Sequence, residues 1–160
     1  MGQDILTNSI QLVCFKLADE EYAVRITDVQ EVIRLRPITH IPQTPFFALG
    51  VINLRGSIIP VFDMRSRLKL RRKEFDHETK IIIATISGQV FSFVVDFVLE
   101  NIILEESQID ATPSVKMNID KDCVDGIGQL ENRMITILNL KKVQEGIKKE
   151  MLSYAVHHGS

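Results

Sequence analysis

The chain has 160 residues, 45% of them apolar and 25% charged. Those proportions suit a globular protein that buries about 70% of its unfolded surface, in one domain or two closely packed subdomains. The net charge of −2 sets up no field to draw the chain onto nucleic acid or an anionic membrane. No apolar run approaches the ~20 residues of a spanning helix, so no membrane insertion is expected.

The N-terminus lacks the basic flank and apolar core of a signal peptide. Cys14 and Cys123 have no metal or redox spacing, which points to reduced thiols in a cytoplasmic protein. The closing His157-His158-Gly159-Ser160 reads as an expression remnant and carries no functional argument.

Residues 10–17 are rich in β formers, Asp19-Glu20-Glu21 is a polar turn, and Tyr22–Ile26 returns as a strand to make a hairpin. Thr27-Asp28 can cap one helical turn before the strand-like Val29–Leu35. Pro37, Pro42 and Pro45 punctuate a loop. Thr44-Pro45 resembles an N-cap with proline in the first turn and predicts a short helical turn over Phe46–Leu49. Gly50-Val-Ile-Asn-Leu-Arg-Gly-Ser-Ile-Ile-Pro-Val-Phe-Asp-Met64 then reads as two apolar strands about a turn at Arg55-Gly56. Pro60 interrupts the second strand, where a fully paired backbone could not spare its N–H.

The six cations of residues 65–73, answered by the acids of 74–78, predict a solvated connector. They make a poor nucleic-acid patch, having no interleaved aromatics. Ile81–Ile86 and Val90–Val95 are strands about a Ser87-Gly88-Gln89 turn, and Val98–Ile102 follows as a further strand. Residues 105–121 turn polar and read as a long loop. Leu140–Leu152 is the one convincing helix, with Val143, Ile147 and Met151 at four-residue spacing and lysines on the other face.

The chain repeats itself. Gly126–Leu140 aligns without a gap on Gly50–Met64, placing Leu130 on Leu54, Ile135 on Ile59 and Asn139 on Asp63, and Val98–Ile102 echoes Val29–Ile33 with Glu100 over Glu31. One ~60-residue unit is marginal alone, but two can bury a shared apolar seam. Short strands, frequent turns and no βαβ alternation predict a mainly β fold of paired small barrels with a C-terminal helix. One domain spanning 9–152 is expected, in halves of about 9–70 and 79–145, with 1–8 and 153–160 as flexible termini.

No phosphate-binding loop, dinucleotide fingerprint, zinc motif or nucleophile elbow is present. His40 and His77 have no partner at a motif spacing. Asp63 and Asp96 follow apolar runs and invite an acid–base reading, but Asn139 stands at the position aligned with Asp63, so a cap or turn residue suffices there. No catalytic residue, cofactor or metal is expected, and function is sought in binding surfaces.

Phe47–Met64 with its Asn-Leu-Arg-Gly core, Glu20–Val24 and Val29–Val32 together resemble the CheW family of bacterial chemotaxis coupling proteins, over residues 9 to 150. The resemblance implies two intertwined five-stranded SH3-like barrels around a shared core. It also implies a non-catalytic adaptor, recruited to receptor arrays, that links the cytoplasmic tips of chemoreceptors to the CheW-like regulatory domain of the histidine kinase CheA. The chain has no kinase or receiver region, so a stand-alone adaptor is expected. Family correspondence places receptor binding at Arg55, Val29 and Glu31, with Asn53 a weaker member, in a groove between the halves. Kinase contacts are expected at a barrel end near Val98, Leu99 and Ile102. For Arg55 the structural alternative is an ion pair with Glu131, its repeat counterpart. Two other readings stay open: a CheW-like adaptor in a non-chemotaxis kinase pathway, and a β-barrel that binds a small molecule or nucleic acid.

Overall fold

The hairpins predicted from turn chemistry are assembled into two sheets in the computed structural model, which describes residues 8–111 and 121–158. In chain order the elements are β1 (Ser9–Leu17), β2 (Glu20–Arg25), β3 (Val29–Arg34), β4 (Ala48–Leu54), β5 (Ser57–Asp63), α1 (Met64–Arg67), β6 (Lys80–Ile86), β7 (Gln89–Val95), β8 (Phe97–Glu105), β9 (Ile109–Asp110), β10 (Val124–Leu130), β11 (Arg133–Leu138) and α2 (Leu140–His158). The first sheet runs β3-β6-β7-β5-β4 and the second β8-β1-β2-β11-β10-β9. Each sheet therefore takes a hairpin from the other half of the chain: β6–β7 completes the first, β1–β2 the second. The fold is two intertwined SH3-like barrels, each with five principal strands, β9 adding a two-residue edge to the second.

This exchange explains why the donated strands are apolar on both faces. In β1, Leu12 and Cys14 point into the second barrel, while Val13, Phe15 and Leu17 join the core shared between barrels. In β6, Ile81 and Ile83 fill the first barrel, and Ile82, Ala84 and Ile86 face the shared core. Phe15, Tyr22, Phe91 and Phe93 meet there with ring centroids 5.8–6.4 Å apart, and α2 closes the same core with Val143 and Ile147. Burial pushes the Cys14 thiol up to about 11, and burial together with the neighbouring Glu20 pushes the Tyr22 hydroxyl up to about 12.

The aligned hairpins are structurally equivalent in detail. Each begins at a bulge, one beside Gly50 and one beside Gly126, and in each a crossing segment lies against that glycine. Thr39 pairs with Val51 in the first barrel, and β9 pairs with Ile127 and Gly128 in the second. Arg55 (φ 51°) and Glu131 (φ 56°) occupy the same left-handed turn position. Pro60 stands one residue ahead of the parallel Val61–Asp63 ladder with β7, so its missing N–H is not called on there, and the buried Ser92 hydroxyl donates to its carbonyl (2.8 Å).

Asp63 and Asn139 play the same part in the two halves. Asp63 Oδ1 accepts from the Arg65 N–H (3.1 Å) to cap α1, and Asn139 Oδ1 accepts from the Lys142 N–H (3.0 Å) to cap α2. Asp63 is also held by Arg72 Nε (3.1 Å) and the Ser66 hydroxyl (3.2 Å). Asp63→Ala is expected to lower stability by about 1–2 kcal/mol. Asp63→Asn should cost less, because Asn139 performs the same cap, and urea unfolding of the two variants checks the order.

Three local expectations change. Phe46–Leu49 is not helical: Thr44 Oγ1 donates back to the Ile41 carbonyl (2.9 Å), the Ala48 N–H closes a turn on the Pro45 carbonyl (2.9 Å), and β4 begins at Ala48. Phe47 and Ala48 are needed in the shared core, and that tertiary demand overrides the local capping signal.

The basic connector is not simply solvated. Leu68 is fully buried, Arg67 packs over the Phe47 ring (5.6 Å), and Arg65 Nε donates to both Asp96 oxygens (2.8 and 3.1 Å). Burial works against ionisation of Asp96, but the hydrogen bonds from Arg65 and the Ala18 N–H outweigh it and hold the carboxyl below the usual range. A depressed carboxylate stabilises the fold above its unfolded value of ~4, and that stabilisation is lost as the pH falls through the lower native value. Asp96→Asn should therefore be less stable than wild type at pH 7. The difference should shrink below about pH 4, as read by unfolding midpoints across pH.

Finally, α2 runs on to His158 where an end at Leu152 was expected. The apolar pattern ends at the half-buried Met151, but no glycine or proline stands between Leu152 and Gly159 to stop the helix. Residues 1–7, most of the predicted 105–121 loop, and Gly159 and Ser160 lie outside the described residues.

Candidate protein-docking surface

Four residues expected at a receptor face fall into two groups. β3 and β4 are the two edges of the first sheet, yet Arg55, at the tip of the β4–β5 hairpin, forms an ion pair with Glu31 on β3. Such a contact requires the sheet to curl until its edges meet. Arg36 Nη1 spans the same opening to the Asn53 carbonyl (3.2 Å). Arg55 is 67% exposed and Glu31 29%, so the pair forms a polar rim open to solvent. Its partner is Glu31 and not Glu131, which replaces the pairing considered from the repeat.

Asn53 has a local role. Its Oδ1 accepts from the Gly56 N–H (2.9 Å) and braces the turn that presents Arg55. Val29 is half-buried on the same strand as Glu31 and packs against the shared core. Val98, its repeat counterpart, packs against that core from β8. The two valines thus flank the junction of the barrels, one from each half.

Of the other residues expected at a kinase face, Leu99 is half-buried against the interior of the second barrel, and Ile102 is 8% exposed inside it. Ile103 beside it is 60% exposed. Strand alternation decides this: Ile102 and Leu104 point inward, so Asn101 and Ile103 point out.

The second barrel carries its own acidic–basic rim. Arg133 grips Glu21 with Nε (3.0 Å) and Nη2 (2.6 Å), and reaches Glu100 with Nη1 (3.0 Å). Glu21 holds the Arg133 guanidinium well above its ordinary value, despite partial burial, and a hydrogen bond from the Glu100 backbone, with Arg133 beside it, holds the exposed Glu100 carboxyl low. The two aligned glutamates, Glu31 and Glu100, are each paired to an arginine of a hairpin, Arg55 and Arg133. Beside them Ile58 and Met134, aligned in the repeat, are exposed by 64% and 60%. Sequence reading passed over these two residues. Their signal was an apolar residue repeated three positions past the turn arginine or its counterpart, where the hairpin registers are identical.

Rims of this kind, each an ion pair beside an exposed apolar side chain on a rigid barrel, define a protein-binding module. The chain matches the CheW-like domain over residues 11–147, and it belongs to that family. It is 30% identical over 141 residues to the chemotaxis protein CheW of Helicobacter pylori, covering 88% of this chain and 83% of that one. It is 31% identical over 140 residues to the chemotaxis protein CheW of Rhizobium meliloti, covering 88% and 90%. The crystal structure of the scaffolding protein TtCheW from Thermoanaerobacter tengcongensis superposes with a TM-score of 0.81 at 41% identity, covering 89% of this chain and 97% of that one. Among the described residues no helix is long and apolar enough to cross a membrane.

Proposed function

We propose that this protein is a non-catalytic chemotaxis adaptor that couples chemoreceptor cytoplasmic tips to the histidine kinase CheA at membrane receptor arrays. The observation that carries the reading is the pair of equivalent rims at opposite strands of one intertwined scaffold. A receptor tip is a helical hairpin, and a helix docks by laying apolar side chains on a junction framed by a few polar anchors. Val29 with Glu31 and Arg55 offers that combination, and an arginine hydrogen-bonds carboxylates or helix C-terminal carbonyls well. The rim of the second barrel, with Met134, Ile103 and the Val98–Leu99 segment, is the matching surface for the CheW-like domain of the kinase. Asp63 and Asp96, the aspartates that invited an acid–base reading, are engaged in a helix cap and an ion pair.

The test is pull-down of a receptor-tip fragment and of a CheA regulatory domain by the full chain. Independent binding of both, each competed by its own unlabelled fragment, is expected. Failure to retain either would defeat the reading.

A further inference from the structure

On the side of the first barrel where α2 crosses it lies a groove of about 730 Å³, walled by Pro60 and Phe62 of β5, Val90 and Phe91 of β7, and Met151 and Leu152 of α2. None of the residues assigned above to receptor or kinase lines it. The apolar wall continues along α2 from Leu152 at the groove to Val156 beyond it, which are 70% and 73% exposed.

The walls restrict what can fill it. Both β5 and β7 are interior strands, hydrogen-bonded on each side, so no free edge is available for an added strand. An occupant must satisfy its own backbone, as a helix does. The α2 wall from Gln144 to Ala155 is about 17 Å long at 1.5 Å per residue, the length of roughly three helical turns.

Charge narrows the choice further. Among the described residues Lys148 is the one charged side chain lining the groove, and on α2 the exposed Lys141 lies two turns before it on the same face, with Glu145 one turn before it. A second copy crossing symmetrically at Lys148 would set that lysine against its own equivalent. We propose that the groove is a docking site for an amphipathic helix of a protein partner. That helix would carry apolar residues at i, i+3/i+4 and i+7 and acidic residues along the flank that meets Lys148. This inference does not depend on the assignment of the Arg55 rim.

The experiment uses the full ¹⁵N-labelled chain and two helix-stabilised synthetic peptides of about fourteen residues. The peptides share the same leucine stripe and are flanked either by Glu or by Lys. The Glu-flanked peptide should bind about five- to tenfold tighter at low salt, with amide shifts centred on residues 89–91 and 144–155 and absent from Arg55 and Glu31. Lys148→Glu, at an exposed helix position, should reverse the preference. Val90→Arg should abolish binding of both peptides while a thermal melt reports an intact fold. If Val90→Arg does not fold, the Lys148→Glu reversal decides alone. Equal affinity for the two peptides, or shifts centred elsewhere, overturns the proposal. So does a concentration-dependent dimer in sedimentation that Leu152→Glu abolishes, since a second copy would then be the occupant.

Discussion

Gly50→Ala is expected to be among the most damaging single-methyl changes in the chain, lowering stability by about 3 kcal/mol or more. Two independent causes coincide. Gly50 has φ +144°, a conformation that side-chain-bearing residues rarely adopt. A Cβ built there would also lie 2.0 Å from the Thr39 carbonyl oxygen and 2.7 Å from its carbon, and neither is a flexible side chain that can swing away. Relief would break the Thr39–Val51 bridge, whose two hydrogen bonds of 2.8 and 2.9 Å fasten the proline-punctuated loop to β4. Gly126→Ala is the internal comparison: its Cβ would meet the Asp110 carbonyl at 2.8 Å, without the left-handed backbone. It should cost measurably less. Urea or thermal unfolding of the two variants side by side provides the check, and equal losses would remove the backbone conformation as a cause.

Arg55→Glu should reduce binding of a receptor-tip fragment by roughly thirtyfold or more, the loss of an anchoring arginine at an interface. Binding of the CheA regulatory domain should be unchanged. The fold should tolerate the change. Glu131 already sits at φ 56° in the equivalent turn, so glutamate can occupy that conformation. The exposed pair with Glu31 contributes at most about 1 kcal/mol. The charge-swapped double variant, Arg55→Glu with Glu31→Arg, separates two explanations. If the ion pair matters only by closing the barrel, the swap restores receptor binding. If Arg55 itself touches the receptor, the swap folds normally and binding stays lost. Unimpaired receptor binding by the single variant would withdraw Arg55 from the site.

The legibility of this chain in its sequence followed the range of the interactions involved. Hairpins at Ser87-Gly88 and Arg55-Gly56 could be read because both central residues of each turn take positive φ, a demand expressed within two residues. The repeat pointed to a turn or cap residue at Asp63 and Asn139, since a shared local task accounts for an acid and an amide at aligned positions, and both are caps. Phe46–Leu49 misled for the converse reason: a sound local capping pattern gave way to the burial of Phe47 and Ala48. The connector misled through composition alone. Six cations suggest solvent, and the seating of Arg65 on Asp96 depends on a residue 31 positions away.

The candidate docking surface divides along the same line. By itself the sequence determined the strands, the duplication and the Asn-Leu-Arg-Gly hairpin that marks the family, because turn geometry and alternation act over a few neighbouring residues. Only the tertiary structure decided that β1–β2 and β6–β7 change places. It alone paired Arg55 with Glu31 across the curled sheet, gave Arg133 both Glu21 and Glu100, turned Ile102 inward, and opened a groove beneath α2. These outcomes depend on which distant edges meet, and no local pattern encodes that meeting.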